Sequence, residues 1–287
     1  MFSFLFKISA LSIVYIMLTL STCFYIVKSK FNVEKYKEWM YNLLHNVNNF
    51  NLVIYTNEAS YSVFSPFQDI INNNSKILIV FRELEDFYMY KYRDSWIYNQ
   101  KNNSLLNYID WELQMIWAEK IFFVDHTIKN KYYDTQWYGW CDIGYFRNRT
   151  ARDMPSYLLK NWPNHSKINI LNKDRIYYAR VNNDNNYFWN IIKMAMNKND
   201  TGLPLIPLPN DQVTIAGGFF ICHKEKLDWW KEQFNSTLKL YFDNSYLVKD
   251  DQIIIISCIA NNYKHFELIQ ERDGLFDNWF LFQRYLL

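Results

Sequence analysis

Three short polar motifs in this sequence contain residue types that could do chemistry, and the first follows an aromatic run. Asp142 and Gly144 come directly after the letters WYGWC, and Arg147 stands a little further on. A carboxylate at the end of a strand can bind Mg²⁺ or Mn²⁺, because both cations prefer oxygen ligands and can bridge two phosphates. The same aspartate could instead cap the turn that follows it. The spacing leaves both interpretations open, and Arg147 could pair with a phosphate or with Asp142.

The second motif is the glycine pair Gly217-Gly218, which interrupts the apolar run IAGGFFICH. Glycines inside a strand mark either a bulge or a close approach of the backbone to a ligand. A bulge is the simpler explanation, and a surface that accepts a sugar ring is the functional one. His223, at the end of this run, is predicted to cap the helix that follows.

The third motif is KDDQ, in which Asp250, Asp251 and Gln252 precede a run of isoleucines. Acidic residues are favoured in the first turn of a helix because they interact with the helix dipole. That explanation covers one aspartate, and the second could orient or deprotonate a hydroxyl nucleophile. We therefore interpret KDDQ as a helix start that could also carry an acid/base group.

Composition excludes several other functions. The 287 residues include 31 basic and 29 acidic side chains, and the net charge of +2 argues against nucleic-acid binding. The four cysteines show no CxxC spacing and the five histidines are isolated, so a zinc site is not indicated. The chain has no Walker loop and no GxGxxG, GxSxG or HExxH motif. The candidates that remain are carboxylates, glycines and aromatic residues.

The N-terminus contains the clearest topological signal. Residues Ile8–Val27 form an uncharged run bounded by Lys7 on one side and by Lys28 and Lys30 on the other. At about 1.5 Å per residue, a helix of this length spans about 30 Å of hydrocarbon, so we predict an uncleaved, single-pass membrane anchor. A cleaved signal peptide is the alternative, although no small-residue cleavage site follows. The predicted organisation is an anchor in residues 1–30 and one α/β domain in residues 31–287, on a side of the membrane that the flanking charges leave open.

Strand-like and helix-like segments alternate along the rest of the chain. Short β-branched and aromatic runs predict strands at 51–57, 76–81, 136–144, 174–181, 213–223 and 265–269. Amphipathic spacing predicts helices at 110–130, with Asp110 as N-cap, and after positions 223 and 249. Such alternation is typical of an α/β fold with a mostly parallel, twisted sheet flanked by helices. Ligands bind beyond the carboxyl ends of such strands, so we expect one rim to hold Thr56, Asn57, Asp142, Gly144, Gly217 and Gly218.

Taken in order, these motifs resemble the HtrL/YibB-like family of glycosyltransferases. The similarity is best over WAEKIFFVDHTIKNKYYDTQWYGWCDIGYFR and continues in AGGFFICHKEKLDWWKEQF and DDQ. It covers roughly Asn51 to the C-terminus and leaves the apolar N-terminus outside. The resemblance implies a GT-A type fold, in which a nucleotide-binding α/β half is joined without a linker to an acceptor-binding half.

The resemblance also implies a metal site. Asp142 takes the place of the last acid of a metal-binding DxD motif, and Trp140 stands where the first acid would be. His265 is a further candidate ligand. The implied cofactor is therefore a divalent cation, Mn²⁺ or Mg²⁺, held by Asp142 and His265. The absence of the first acid lowers the expected dependence on that metal.

Other residues would contact the nucleotide sugar or the acceptor. Gly217 and Gly218 would lie beneath the transferred sugar. Asp250 or Asp251, with Gln252 beside it, would face the acceptor hydroxyl or the donor sugar. The residues that the resemblance assigns to nucleotide-sugar binding are Thr56, Asn57, Asp142, Gly144, Arg147, Gly217 and Gly218.

The predicted function is a membrane-anchored glycosyltransferase of the hexosyltransferase class. It would transfer a sugar from a nucleotide-sugar donor to a hydroxyl group of a glycan, lipid or protein acceptor. Because Trp140 replaces an acid, the alternative is a catalytically inactive relative that binds a glycan or a nucleotide on the same scaffold. A third interpretation, a structural membrane protein whose aromatic surface contacts partners, predicts that no nucleotide binds.

Overall fold

The computed structural model describes residues 17–147, 152–271 and 275–287, which form a mixed α/β fold around a seven-stranded sheet. In space the strands follow the order β3-β2-β1-β4-β6-β5-β7. Strand β6 runs antiparallel to both of its neighbours, and the other neighbouring pairs are parallel. The sheet is thus mostly parallel, as predicted, with one reversed strand. The strands are β1 (Leu18–Cys23), β2 (Asn51–Thr56), β3 (Ile77–Phe81), β4 (Trp137–Cys141), β5 (Ile176–Ala179), β6 (Phe219–His223) and β7 (Phe266–Ile269).

Helices cover both faces of the sheet. The helices and the sheet form two buried hydrophobic clusters. One cluster includes Phe123 and Trp230, and the other includes Leu43 and Phe282. The helices are α1 (Val33–His45), α2 (Glu58–Tyr61), α3 (Gln68–Asn73), α4 (Arg93–Lys101), α5 (Trp111–Lys129), α6 (His165–Asn169), α7 (Asn185–Met196), α8 (Lys224–Asp243), α9 (Asp251–Asn262) and α10 (Phe282–Tyr285). Short 3₁₀ segments lie at Ser62–Phe67, Leu84–Asp86, Tyr88–Tyr92, Ser156–Leu159, Tyr263–His265 and Asn278–Phe280.

The aromatic run WYGWC forms strand β4 and is buried throughout. Successive side chains of a strand point to opposite faces of the sheet. Trp137 and Cys141 accordingly pack into one buried cluster, and Tyr138 and Trp140 pack into the other. The aromatic residues therefore fill both sides of the sheet, and the strand ends just before Asp142.

Strand β1 lies in the interior of the sheet. It pairs with β2 on one side and with β4 on the other, and every residue in it is buried. Two of its polar side chains have internal partners: Ser21 Oγ lies 2.8 Å from Thr127 Oγ1, and Thr19 Oγ1 lies 2.9 Å from Thr135 Oγ1. A parallel strand that is buried on both faces has a nearly continuous apolar sequence, which resembles part of a membrane helix.

This position of β1 corrects two predictions. The membrane helix predicted over Ile8–Val27 is wrong from Leu18 onward, because Leu18–Cys23 form a strand and the residues up to Val27 are not helical. Residues 8–16 of the predicted helix lie outside the described residues. The domain boundary predicted at residue 30 is wrong for the same reason, because β1 belongs to the sheet. Within the described ranges, no helix combines the length and the apolar composition needed to cross a membrane.

The other predicted elements are present, with shifts at their ends. Helix α5 begins after Asp110, whose Oδ1 accepts a hydrogen bond from the N–H of Leu113 at 3.3 Å. Helices α8 and α9 begin where predicted, and His223 is the N-cap of α8. The strand predicted over 213–223 begins only at Phe219. The glycine pair therefore precedes β6 and does not interrupt it as a bulge would.

Candidate active site

A cleft of about 370 Å³ opens at the carboxyl ends of β1 and β4. The chain passes from β1 to β2 in one direction, and β4 lies on the other side of β1, so the strand order reverses here. Open α/β sheets bind ligands at such points, because loops that leave adjacent strands in opposite directions create a crevice. The lining residues are Lys30, Phe31, Tyr36, Leu113, Trp117, Lys120, Asp142, Gly144, Tyr145, Arg147, Gly217, Gly218, Asp250, Asp251, Gln252, Asp277, Trp279 and Phe280.

Lys120, from α5, lies at the floor of the cleft and joins three parts of the chain. Its Nζ donates a hydrogen bond to the carbonyl oxygen of Gly217 at 2.9 Å. The same nitrogen lies 3.0 Å from Asp251 Oδ2 and 3.2 Å from Asp142 Oδ1. An ammonium group has three N–H donors, so each of them has one acceptor here. The buried lysine thus holds two carboxylates and a backbone carbonyl in one place.

Burial and pairing act against each other in this cluster. Burial alone would lower the pKa of Lys120, but Asp142 and Asp251 outweigh it and hold that pKa above its usual range. For Asp251 burial dominates and raises the pKa to about 6, although Lys120 opposes the shift. Near pH 7 the lysine is therefore protonated and Asp251 is mainly ionised. Desolvation offsets most of the attraction in buried ion pairs, so such a cluster in a cleft points to function more than to stability.

Asp142 is fixed from two sides directly after β4. Its N–H donates to the carbonyl oxygen of Gly218 at 2.8 Å, and its Oδ1 accepts a hydrogen bond from Trp140 Nε1 at 2.6 Å. The Trp140 side chain is buried, whereas the Asp142 side chain is 36% exposed. Trp140, at the position where the family resemblance implies an acid, therefore serves as a hydrogen-bond donor to the acid that remains. The carboxylate of Asp142 stays accessible from the cleft.

The glycine pair packs against the two acids. A Cβ atom on Gly217 would lie 2.8 Å from Asp251 Oδ2, and one on Gly218 would lie 3.1 Å from Asp142 Oδ2. Glycine is therefore required at Gly217 because the backbone closely approaches a buried carboxylate. Gly144 has a different neighbour, since its Cβ would lie 2.7 Å from the ring of Trp39. The backbone of the glycine pair thus closely approaches the protein's own acidic side chains, and the predicted contact with a sugar ring stays a prediction.

Asp250 and Asp251 have separate positions at the start of α9. Asp250 is the N-cap residue, and its Oδ1 accepts a hydrogen bond from the N–H of Gln252 at 3.2 Å. Lys249 Nζ lies 3.5 Å from the other oxygen of Asp250. Asp251 instead turns inward to Lys120. Helix capping thus accounts for Asp250, and Asp251 is the acid that capping does not explain. Gln252 lines the cleft beside them.

Aromatic rings and two further cations form part of the cleft wall. Lys30 Nζ lies 5.5 Å from the centre of the Trp117 ring, and burial lowers the pKa of Lys30. Arg147 Nε donates to the carbonyl oxygen of Gly144 at 2.7 Å, and its guanidinium lies 4.4 Å from the centre of the Trp39 ring. Guanidinium and ammonium groups bind phosphates, and aromatic faces bind planar or ring-shaped groups. The wall therefore suits a ligand that contains both a phosphate and a planar or ring-shaped group.

Two of the predicted nucleotide-sugar residues are not brought to the cleft. Thr56 is buried at the end of β2, where its Oγ1 donates to the carbonyl oxygen of Phe24 at 2.9 Å. Asn57 caps α2 and donates to Glu83 Oε2 at 3.1 Å. Thr56 ends β2 and Asn57 follows it at the expected edge of the sheet, but neither lines the cleft. Their side chains secure loops.

The implied metal site does not fit this geometry. His265 precedes β7 at the amino-terminal edge of the parallel strands, opposite the cleft, and its Nδ1 lies 2.8 Å from Lys226 Nζ. Asp142 and Asp251 share the ammonium of Lys120, so a positive charge already lies between these carboxylates. In the part of the chain that the structure describes, no group of three or more His, Cys, Asp or Glu residues could hold a metal ion. The prediction that His265 joins Asp142 as a metal ligand is wrong.

Several residues of the cleft are absent from the sequence motifs. Lys120 stands among Ile116 and Ile121 on the apolar side of α5, and a lysine there is itself a signal, because burying an unpaired ammonium is costly. Lys30 gives no such signal, since it is interpreted as the flank of a membrane segment. The residues 277–280 near the C-terminus belong to no local motif.

Comparison with known proteins leaves the family open. No protein-family model and no curated protein matches the chain. The HtrL/YibB-like resemblance therefore stays a prediction. The sheet and its helices are similar to three solved glycosyl-transferring or mannan-synthesising proteins. They are mouse xyloside xylosyltransferase 1 (13% identity, 88% of this chain and 84% of that one, TM-score 0.46), the galactosyltransferase LgtC with donor and acceptor sugar analogues (9%, 83% and 69%, 0.42), and core-mannan synthase A of Aspergillus fumigatus in its Mn/GDP form (12%, 88% and 72%, 0.46). At these identities and TM-scores, the likeness does not assign an activity.

Proposed function

We propose that this protein is a glycosyltransferase that moves a sugar from a nucleotide-sugar donor to a hydroxyl group of an acceptor. The observation that carries the proposal is the buried cluster of Lys120, Asp142 and Asp251 at the floor of the cleft. It lies at the reversal point of the strand order, where open α/β sheets bind nucleotides and related ligands. Burial raises the pKa of Asp251, and the neighbouring carboxylates hold the pKa of Lys120 above its usual range. Perturbed pKa values of this kind are typical of active sites.

The chemical groups of the cleft match the parts of a nucleotide sugar. Carboxylates such as Asp142 accept hydrogen bonds from sugar hydroxyl groups. Lys30 and Arg147 provide positive charge for a diphosphate, and rings such as Trp117 provide a stacking surface. Gly217 and Gly218 leave the floor of the cleft free of side chains.

The reaction would use these groups in one displacement of the diphosphate. The acceptor oxygen bonds to the anomeric carbon, the bond from that carbon to the diphosphate oxygen breaks, and its electron pair leaves with the nucleoside diphosphate. Lys30 and Arg147 stabilise the charge that develops on the leaving phosphate. The acceptor proton passes to a carboxylate, and the raised pKa of Asp251, about 6, suits a general base that works near neutral pH.

A second candidate is a relative that binds a nucleotide or a glycan without transfer. Lys120 favours it, because all three of its donors are used and both neighbouring acids are partly neutralised. Membrane attachment is part of neither candidate, since Leu18–Cys23 of the predicted anchor form strand β1.

The test uses the full chain and a set of nucleotide sugars with uridine, guanosine, cytidine and adenosine diphosphate leaving groups. Release of the nucleoside diphosphate is measured with and without simple sugar acceptors. Asp142→Asn and Asp251→Asn should abolish release while the unfolding temperature stays close to that of the wild type. Asp228→Asn, at a carboxylate that is 84% exposed on α8, is the matched control and should keep activity.

The outcomes separate the two candidates. Binding of a donor without release of nucleotide, with every acceptor offered, would favour the binding protein. Full activity in both Asp142→Asn and Asp251→Asn would contradict the assigned site. Nucleotide binding is also visible as thermal stabilisation, since a ligand at 100 times its Kd stabilises the folded state by about 2.7 kcal/mol.

A further inference from the structure

The structure points to Lys120 as a built-in cation, and we propose that it replaces a divalent metal ion in this site. The inference rests on the proposed function, because it concerns how the same site binds a donor diphosphate. It predicts that donor binding and sugar transfer proceed without Mn²⁺ or Mg²⁺. Lys120 acts here as a positioning residue, since its three contacts are all with the protein itself.

The contacts of Lys120 are those that would otherwise belong to a small cation. A metal ion bound between the two acids would need the inward oxygens of Asp142 and Asp251, because these are the oxygens that converge. Both oxygens already lie within 3.2 Å of the ammonium. A divalent ion that shared these oxygens would lie next to the buried ammonium, and the repulsion would be strong because the local dielectric constant is low.

The surroundings hold the ammonium where it is. Only 8% of the Lys120 side chain is exposed, and its third donor is fixed by the carbonyl oxygen of Gly217. The next residue towards the N-terminus, Glu119, anchors this turn of α5 by accepting hydrogen bonds from the N–H groups of Tyr88 and Met89 at 3.0 and 2.9 Å. The lysine is therefore not free to swing aside for an incoming metal ion.

Trp140 completes the same arrangement. Its Nε1 donates to the inward oxygen of Asp142, the oxygen that also faces Lys120. Lys120 Nζ lies 6.0 Å from the centre of the Trp140 ring, close enough for a cation–π contact. A tryptophan at this position thus satisfies Asp142 with a neutral donor and favours an organic cation beside it. The departure from a pair of acids and the presence of a buried lysine support each other.

Two further positive groups line the wall of the cleft. Lys30 lies on the wall of the cleft with Trp117 beneath it, and Arg147 is held above Trp39. Lys30 and Arg147 would therefore supply the positive charge that binds the phosphates, while Lys120 holds Asp142 and Asp251 in position.

The first experiment measures binding of uridine, guanosine, cytidine and adenosine diphosphate to the full chain by calorimetry. Each titration is run with EDTA and again with Mn²⁺ or Mg²⁺. We expect the Kd of the nucleotide that binds to agree within about twofold between these conditions. Affinity that improves at least tenfold with Mn²⁺, and loses that gain in Asp142→Asn, would overturn the proposal while the proposed function stands.

The second experiment removes the built-in cation. In Lys120→Ala the carboxylates of Asp142 and Asp251 lose their shared partner, so the variant should gain one bound Mn²⁺, measured by the loss of the free-ion signal in electron paramagnetic resonance. Lys249→Ala is the matched control, because Lys249 pairs with Asp250 and not with this cluster. The control should bind Mn²⁺ no better than the wild type.

The two experiments distinguish a failure of the proposed function from a failure of the proposed role of Lys120. If no nucleotide binds in either condition, the proposed function fails, and the Mn²⁺ titration still decides the role of Lys120. A wild-type protein that binds Mn²⁺ and loses it in Asp142→Asn overturns the role of Lys120. If Lys120→Ala does not fold, this wild-type comparison gives the decision alone.

Discussion

Asp250 and Asp251 show how differently two adjacent aspartates can be used. Asp250 accepts the N–H of Gln252 and so satisfies one of the unpaired donors in the first turn of α9. Asp251 turns into the protein, where burial raises its pKa to about 6 and Lys120 balances its charge. We therefore expect Asp250 to contribute mainly to the stability of α9 and Asp251 to contribute to the chemistry of the site.

The capping role of Asp250 gives a stability prediction. Asp250→Ala should lower the free energy of unfolding by about 1 kcal/mol, because the side-chain acceptor of the cap is lost. Asp250→Asn should restore most of this, since asparagine caps helices about as well. Urea denaturation of the two variants provides the measurement. Equal losses in both would show that the charge, and not the cap, is what matters at this position.

The pKa of Asp251 gives a prediction about activity. The ratio kcat/KM should fall as the pH drops below about 6, because protonation of Asp251 removes the group that accepts the acceptor proton. The pH profile of kcat/KM reports groups of the free enzyme, so it should show this acidic limb. A profile that stays flat down to pH 5 would exclude Asp251 as the base.

Stability should respond to the same group with the opposite sign. The folded-state pKa of Asp251, about 6, lies above its ordinary value of 3.8, so the native state holds the proton more tightly than the unfolded chain. The contribution of Asp251 to stability therefore falls as the pH rises from about 4 to about 6, and it is constant above that range. The difference in unfolding free energy between wild type and Asp251→Asn should show this slope. Acid unfolding would instead lower activity and stability together.

At this scale the sequence predicts the acids better than their partner. Asp142, Asp251 and the glycine pair stand in recognisable motifs, and all of them line the cleft. Lys120 could not be placed with them from the sequence, because its three acceptors belong to residues 142, 217 and 251. Helical periodicity shows that Lys120 faces inward but not what it meets there.

At the scale of elements, the backbone just before β6 is as important as the side chains. Gly217→Ala should lower turnover about 100-fold, because its Cβ would force the buried Asp251 to move and a shift near 1 Å costs about that much. Gly218→Ala should have a smaller effect, since its neighbour Asp142 is partly exposed and can adjust. Steady-state assays on both variants measure whether Gly217→Ala lowers turnover more than Gly218→Ala does.

A third glycine provides the control for these two variants. Gly202 has a φ of +84°, a conformation that L-residues rarely adopt, and it does not line the cleft. Gly202→Ala should therefore lower stability by about 1–2 kcal/mol and leave turnover unchanged. If all three variants lost activity in proportion to their stability, the glycine pair would be structural only.

The elements themselves were largely predictable, and the direction of one strand was not. The runs that become β2, β3, β4, β5 and β7 are visible as short apolar segments, and Asp110 marks the start of α5. Nothing local indicates that β6 runs antiparallel to β4. Yet that reversal places the residues before β6, Gly217 and Gly218, at the edge where β1 and β4 end. The site depends on long-range pairing that periodicity does not report.

At the scale of the whole molecule, β1 explains both the main error of the sequence interpretation and the location of the site. A fully buried interior strand and half of a membrane helix look alike in composition, because both are shielded from water on all sides and lack charged residues. Length favours the membrane interpretation only if the apolar run is a single element. Here Leu18–Cys23, within that run, form a strand whose carboxyl end opens into the cleft.

This assignment of β1 makes a decisive prediction for a shortened chain that begins at Asn32. Removal of β1 leaves β2 and β4 without their shared partner and exposes the apolar interior on both faces of the sheet. We expect the shortened chain to lose cooperative thermal unfolding and to aggregate, whereas removal of a membrane anchor would leave a stable domain. Circular dichroism melting and size-exclusion chromatography of the two chains make the comparison. A cooperative transition at the full-chain temperature would mean that the sheet does not need β1, and the position of the cleft beside it would then have to be revised.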